Sequence, residues 1–149
     1  LDFPVKPVAE AEPPAELLPS LGINAAKFIG RSAFDYLVEL GSEEELRALA
    51  PDHARLRTIE VRGVIVTTRS SEYDFVSRFF APGSGIDEDP VTGSAHCALA
   101  PFWSERLGKT EFRAYQASPR GGVLRVRLEG ERVKLAGRAV TVLRGELVV

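Results

Sequence analysis

Between residues 85 and 97 the chain reads Gly85-Ile86-Asp87-Glu88-Asp89-Pro90-Val91-Thr92-Gly93-Ser94-Ala95-His96-Cys97, three carboxylates running into a Pro- and Gly-punctuated turn that opens a small-residue apolar helix. That order suits the binding of an anion beside an acid/base group. A proline steers the residue before it out of the helical region, so Asp89 is expected to be extended at the bend. The helix start that follows leaves the backbone amides of Gly93, Ser94 and Ala95 without intrahelical partners. Its fractional positive charge favours a carboxylate or phosphate there, with the hydroxyls of Thr92 and Ser94 adding bonds. Asp87 and Asp89, two apart in an extended segment, are expected to face the same way. Their repulsion, together with burial, would raise one of them from about 3.9 towards the range useful for proton transfer. Asp89 is the expected general acid or base.

A plainer reading stands beside this one, because Asp, Pro, Thr, Gly and Ser are ordinary turn and cap residues and Thr92 or Ser94 can simply cap the helix. Other chemistries are poorly served. His96 lies two residues after Ser94 on one helix and cannot face it, and Gly-x-Ser-x-Gly is absent. Cys97 within an apolar helix reads as core packing. His53 reads as an exposed loop residue, and two histidines and one cysteine in three separate places do not suggest a zinc site. Arg120-Gly121-Gly122, after Ser118-Pro119, either lets backbone approach a ligand or merely enters a hairpin, and Gln116 at the end of the preceding strand is open in the same way. Phe102 and Trp103 read as core.

The elements that must position this turn can be read from pattern and punctuation. Residues 4 to 19 hold five prolines and form an extended crossing connector, with one short helical turn around Glu16 to Leu18. Lys27 to Gly30 and Asp35 to Leu40 read as strands that pair as a hairpin. Ser42-Glu43-Glu44-Glu45 has capping-box spacing and starts a short amphipathic helix that Pro51 interrupts. Ile59 to Thr68, with Gly63 as a possible bulge, and Tyr73 to Phe80 read as strands that deliver the chain to the acidic turn. The central helix, 92–108, is apolar nearly all round in its first half, the signature of a helix surrounded by protein, and Pro101 is expected to kink it. Strands are then expected over Glu111 to Gln116, Val123 to Leu128, Arg132 to Leu135 and Val140 to Val148. Leu124, Val126 and Leu128 alternate with Arg125 and Arg127, the period of a sheet with one wet face. Roughly seven strands around one buried helix imply an α+β architecture, a curled sheet or β-barrel wrapped around a central α-helix.

The chain has 149 residues, 44% of them hydrophobic and 27% charged, enough for one domain, 1–149, with a core of its own. A formal net charge of -2 provides no electrostatic footprint for nucleic acid, and no apolar run reaches the roughly 20 residues of a membrane span. A small-molecule substrate or a protein partner is the expectation. The single cysteine excludes an internal disulfide and fits a reducing, cytoplasmic setting. The chain contains no methionine and opens on Leu1-Asp2-Phe3-Pro4, which reads as a strand already in progress and so as part of a longer polypeptide.

Phe79-Phe80-Ala81-Pro82, the Glu88-Asp89-Pro90-Val91-Thr92-Gly93-Ser94-Ala95-His96 run, Trp103, Leu107-Gly108-Lys109, and Gln116 with Ser118-Pro119-Arg120-Gly121-Gly122 together resemble the C-terminal half of the phenazine-biosynthesis-like (PhzF) family. The Leu1-Asp2-Phe3-Pro4 opening resembles that family's midpoint crossover, so the resemblance spans the chain. It implies the diaminopimelate-epimerase-like fold, two similar halves each built as a β-barrel around a central helix, with a cofactor-free active site between them. It also implies that Asp89 stands where related epimerases carry a catalytic cysteine, and that Gly93 and Ser94 hold the substrate carboxylate. The family's reaction is an isomerisation of a dihydro-hydroxyanthranilate, in which a glutamate of the N-terminal half moves a proton between carbons. That half is absent from this chain.

The expectation is therefore half of a cofactor-independent isomerase or epimerase acting on a small, carboxylate-bearing, amino-acid-like or dihydroaromatic substrate. Asp89 is its catalytic residue, as the acid/base group or as the partner of a substrate ammonium; Thr92, Gly93, Ser94, Gln116 and Arg120 bind substrate; no metal or cofactor takes part. The expected partners are the missing N-terminal half or a second copy in a homodimer. A non-catalytic interaction domain that keeps the fold is the first alternative. A phosphate-binding module using the same helix terminus is the second, weakened by the lack of a Gly-rich loop followed by Lys.

Overall fold

The computed structural model describes residues 1–147. Nine strands form one sheet: β1 (Asp2–Pro4), β2 (Ala9–Glu10), β3 (Phe28–Arg31), β4 (Asp35–Glu39), β5 (Gly63–Arg69), β6 (Phe75–Phe80), β7 (Glu111–Gln116), β8 (Gly122–Glu129) and β9 (Arg132–Ala136), in the order β1-β9-β8-β7-β6-β5-β4-β3-β2. Four α-helices and a 3-10 turn at Pro82–Ser84 complete it among the described residues: α1 (Leu17–Leu21), α2 (Glu43–Ala48), α3 (His53–Leu56) and α4 (Gly93–Leu107). Only β4/β5 and β6/β7 pair in parallel. A parallel pair needs a crossover connection, and the two here are made by α2 with α3 and by α4.

Alternation along β6 explains the two layers. Phe75 and Phe79 pack inward with Leu37, Ile65, Phe112, Leu124, Val126, Val133 and Leu135 against α4, whose Ala95 to Ala100 stretch is buried. Val76 and Phe80 pack outward with Tyr36, Val38, Val64 and Val66 beneath α1, α2 and α3. Helix α4 is thus enclosed by side chains from six successive strands. The Ser42 side chain accepts the Glu45 N–H, as the cap spacing predicts, while the Glu45 carboxylate reaches the Gly41 N–H.

The expected class holds in its coarser form, mixed α+β with a sheet around a helix, but no ladder joins β1 to β2 and no barrel is closed among the described residues. Of the two end strands, β1 covers the opening read as a strand in progress and carries Pro4 as its last residue, where a proline is tolerated, while β2 is a two-residue strand inside the segment read as a connector. Because β1 and β2 are joined by residues 5–8 alone, the opposite ends of the sheet can lie at most about 17 Å apart. The sheet must therefore curl almost around α4. That connecting segment also meets α4 at the turn before Pro101, which lies inside the helix. Proline has no N–H to offer the Cys97 carbonyl, and the Lys6 N–H takes that acceptor at 2.9 Å.

Two strand expectations change. The fifth strand begins at Gly63 rather than Ile59, since 57–62 turn towards the mouth of α4. The strand expected over 140–148 is not formed within the described residues, and Val148 lies outside them; Val140, Val142, Leu143 and Leu147 stand exposed. Alternating apolar residues make a strand only when a neighbouring strand supplies cross-strand partners, and this segment meets none. Among the described residues no helix is long and apolar enough to cross a membrane.

Candidate functional site

The acidic turn is built from its ends inward. The Asp89 N–H donates to the Phe79 carbonyl at 3.0 Å, tying the turn to the end of β6. The Ser118 hydroxyl donates to the Pro90 carbonyl at 2.8 Å, tying it to the loop after β7. Gly122, at the start of β8, lies so close to Val91 that a Cβ would sit 2.3 Å from a Val91 methyl carbon. The glycine therefore admits the chain's own turn. Gly121 supplies the positive φ of 69° that the approach requires.

The three carboxylates do three different things. Glu88 makes a two-pronged ion pair with Arg78 at 2.8 and 2.9 Å, the two side chains only 13% and 11% exposed. Arg78 also donates to the carbonyls of Leu46 and Leu49, so the pair clamps the turn onto α2. Asp87 is exposed, 3.7 Å from the Arg57 guanidinium. Asp89 is half-buried and accepts a hydrogen bond from the Thr92 hydroxyl. Asp87 and Asp89 are thus held by different partners instead of sharing a site.

At the helix start, Thr92 occupies the cap position without a side-chain cap bond. Among the described residues no acceptor engages the backbone N–H groups of Gly93, Ser94 or Ala95. A cation that the sequence pattern did not reveal stands beside them: Arg62 donates to the Ser94 hydroxyl at 3.0 Å and forks onto both oxygens of Asp35. The hydrogen-bonded Asp35 carboxylate, whose side chain is 3% exposed, raises Arg62 above its ordinary value. Lys6 and Arg62 both stand over the ring of Phe34, which is 46% exposed at this mouth. Arg62 precedes Ser94 by 32 residues, so no local motif joins them.

The remaining expected site residues divide. Gln116 is 1% exposed, with its carboxamide bonded to Asp89 and Thr92. Arg120 is exposed on the loop before β8. Cys97 packs in the core, and burial pushes its thiol up. His53, expected in an exposed loop, opens α3 and is half-buried. Among the described residues no cluster of His, Cys, Asp and Glu has the makings of a metal site. A surface concavity of about 860 Å³ is on the outer face of β7 to β9, lined by Lys109, Arg113, Arg125 and Arg127, and contains none of the acidic turn.

His96 lies under the turn and is fully buried. Its Nδ1 is 2.8 Å from the Thr92 carbonyl, which can only accept, so Nδ1 carries the proton. Burial lowers this imidazole to about 4. The unfolded chain binds a proton near pH 6.5 that the folded chain refuses until pH 4 is approached, so stability is full above pH 6.5 and is lost as the pH falls towards 4. Denaturant titrations at pH 7, 5 and 4 are expected to show a loss of about 3 kcal/mol that His96→Gln largely removes.

The sequence profile of the phenazine biosynthesis-like protein family matches residues 18–145. An uncharacterized isomerase of Halalkalibacterium halodurans is 53% identical over 100% of this chain and 57% of its own length. An uncharacterized isomerase of Pseudomonas aeruginosa is 52% identical, with 99% of this chain and 56% of that protein covered. The crystal structure of a PhzF family protein of Enterococcus faecalis superposes with a TM-score of 0.91 at 37% identity, over 100% of this chain and 57% of that one. The chain spans just over half the length of these relatives.

Proposed function

This chain belongs to the phenazine biosynthesis-like protein family, and from that premise we propose that it forms one half of an isomerase that moves a carbon-bound proton in a small, carboxylate-bearing substrate. One observation carries the reading: a single turn sets the Asp89 carboxylate beside three unengaged amides and the Arg62–Ser94 pair. The amides of Gly93, Ser94 and Ala95 clamp the substrate carboxylate at the positive end of α4. Because Ser94 accepts from Arg62, its own hydroxyl proton is left to donate to that carboxylate. Asp89 then takes or returns a proton at the adjacent carbon, and no cofactor is required for the step.

In the intact protein we propose that the remainder of the polypeptide covers the mouth of α4 and contributes the opposing acid/base group. Proton exchange in heavy water tests the reading. The intact protein, given small amino-aromatic acids, is expected to place deuterium on the substrate carbon next to the carboxylate or conjugated with it. Absence of exchange with every such acid, in a protein shown to bind them, would favour the interaction-domain alternative.

Arg62→Lys keeps a positive charge but cannot reach Asp35 and Ser94 together. Loss of one charge-assisted bond at the carboxylate predicts a KM raised about tenfold with kcat nearly unchanged.

A further inference from the structure

We propose that Gln116 is a positioning residue for Asp89: acting through Thr92, it decides which Asp89 oxygen is held by the protein and which is left to exchange a proton. The inference rests on the reading of Asp89 as the acid/base group and adds the device that orients it. Counting hydrogens assigns every bond. The Thr92 N–H can only donate, so its partner at 2.7 Å is the Gln116 carboxamide oxygen, Oε1. Nε2 then carries both hydrogens of that amide. One goes to the Asp89 carbonyl at 2.7 Å, an obligate acceptor, and the other to Thr92 Oγ1 at 3.1 Å. With Oγ1 accepting from Gln116, the hydroxyl proton of Thr92 is directed to Asp89 Oδ2.

Both N–H groups of the Gln116 amide are taken by the protein, and at 1% exposure the side chain is out of a substrate's reach. The role expected of Gln116 from sequence, a substrate contact, becomes an indirect one. Oδ2 is committed to Thr92, while Oδ1 has no hydrogen-bond partner among the described residues and is the oxygen that meets the substrate. The scaffold behind this relay is firm: Gln116 pairs with Ser77 across β6/β7, and the Ala117 N–H donates to the Ser77 carbonyl at 2.7 Å. The Thr92 hydroxyl is not required to cap α4, since it makes no cap bond.

The test uses Thr92→Val, Thr92→Ser and Gln116→Glu in the intact protein, read by the pH dependence of kcat and by the 13C titration of the Asp89 carboxyl. Valine keeps the shape of threonine but withdraws the donor to the charged carboxylate, so both midpoints are expected to move upward, with a larger change in kcat than in KM. Serine restores the hydroxyl and is expected to restore both midpoints. Glutamate at 116 keeps an acceptor for the Thr92 N–H but loses the paired donors, and is expected to shift the midpoints in the same direction as valine at 92. A Thr92→Val protein with raised KM and unmoved midpoints would overturn the inference, as would a serine variant that behaves like valine. Full activity in Asp89→Asn would instead remove the acid/base reading beneath it, whereas the 13C titration reports on the hydrogen-bond relay alone.

Discussion

Asp89→Asn, made in the intact protein, is expected to lower kcat by about 10² to 10⁴, the span typical of a lost general acid or base. The substitution is nearly isosteric. The asparagine oxygen still accepts the Thr92 hydroxyl, so the bond that holds Asp89 in place survives and the turn keeps its staples at Phe79 and Pro90. What is lost is the ability to carry a proton. KM should change little, because the amides of Gly93, Ser94 and Ala95 and the Arg62–Ser94 pair are untouched. A thermal midpoint within a degree or two of the parent would show that folding is not the cause. An undiminished kcat would retire Asp89 from proton transfer.

The second large effect concerns stability and separates Glu88 from its acidic neighbours. Glu88→Ala leaves the Arg78 guanidinium buried against the Leu46 and Leu49 carbonyls without its counter-charge. Breaking one partner of such a pair costs about 3 kcal/mol, equivalent in a domain of this size to roughly 10 °C in thermal midpoint. Removing both charges should cost less than removing one, so Arg78→Met combined with Glu88→Leu is expected to recover much of the loss. Calorimetry of the two variants decides it. A single variant as stable as the parent would mean that the clamp between the acidic turn and α2 contributes nothing.

The acidic turn was legible because its signals are local. Pro90 bends the chain, Gly93 opens the helix, and the small apolar residues to Ala100 mark a helix enclosed on all sides, so the placement of Asp89 beside the start of α4 follows from punctuation alone. The Ser42 cap and the β3/β4 hairpin were readable for the same reason. The pairings that span many residues were not. Arg62 arrives at Ser94 from the loop before β5, and Arg78 reaches Glu88 from the strand before the turn; arginines in such places carry no periodic signature. The prolines were legible only in part. Those near the N-terminus suggested a mere connector, yet Ala9 and Glu10, between Pro7 and Pro13, add an end strand to the sheet. Pro101 leaves the Cys97 carbonyl without its helical donor, and the Lys6 amide, distant in sequence, fills it. The apolar alternation after residue 139 promised a strand whose partner this chain does not supply.

The central claim is that Asp89 and the unengaged amides at the start of α4 serve one guest. A crystal structure of the intact protein soaked with a small amino-aromatic acid measures it most directly. The claim predicts carboxylate oxygens about 3 Å from the Gly93, Ser94 and Ala95 nitrogens, with the adjoining carbon turned towards Asp89 Oδ1. Amides already occupied by protein groups, or an Asp89 carboxylate directed to bulk solvent away from the bound acid, would contradict it.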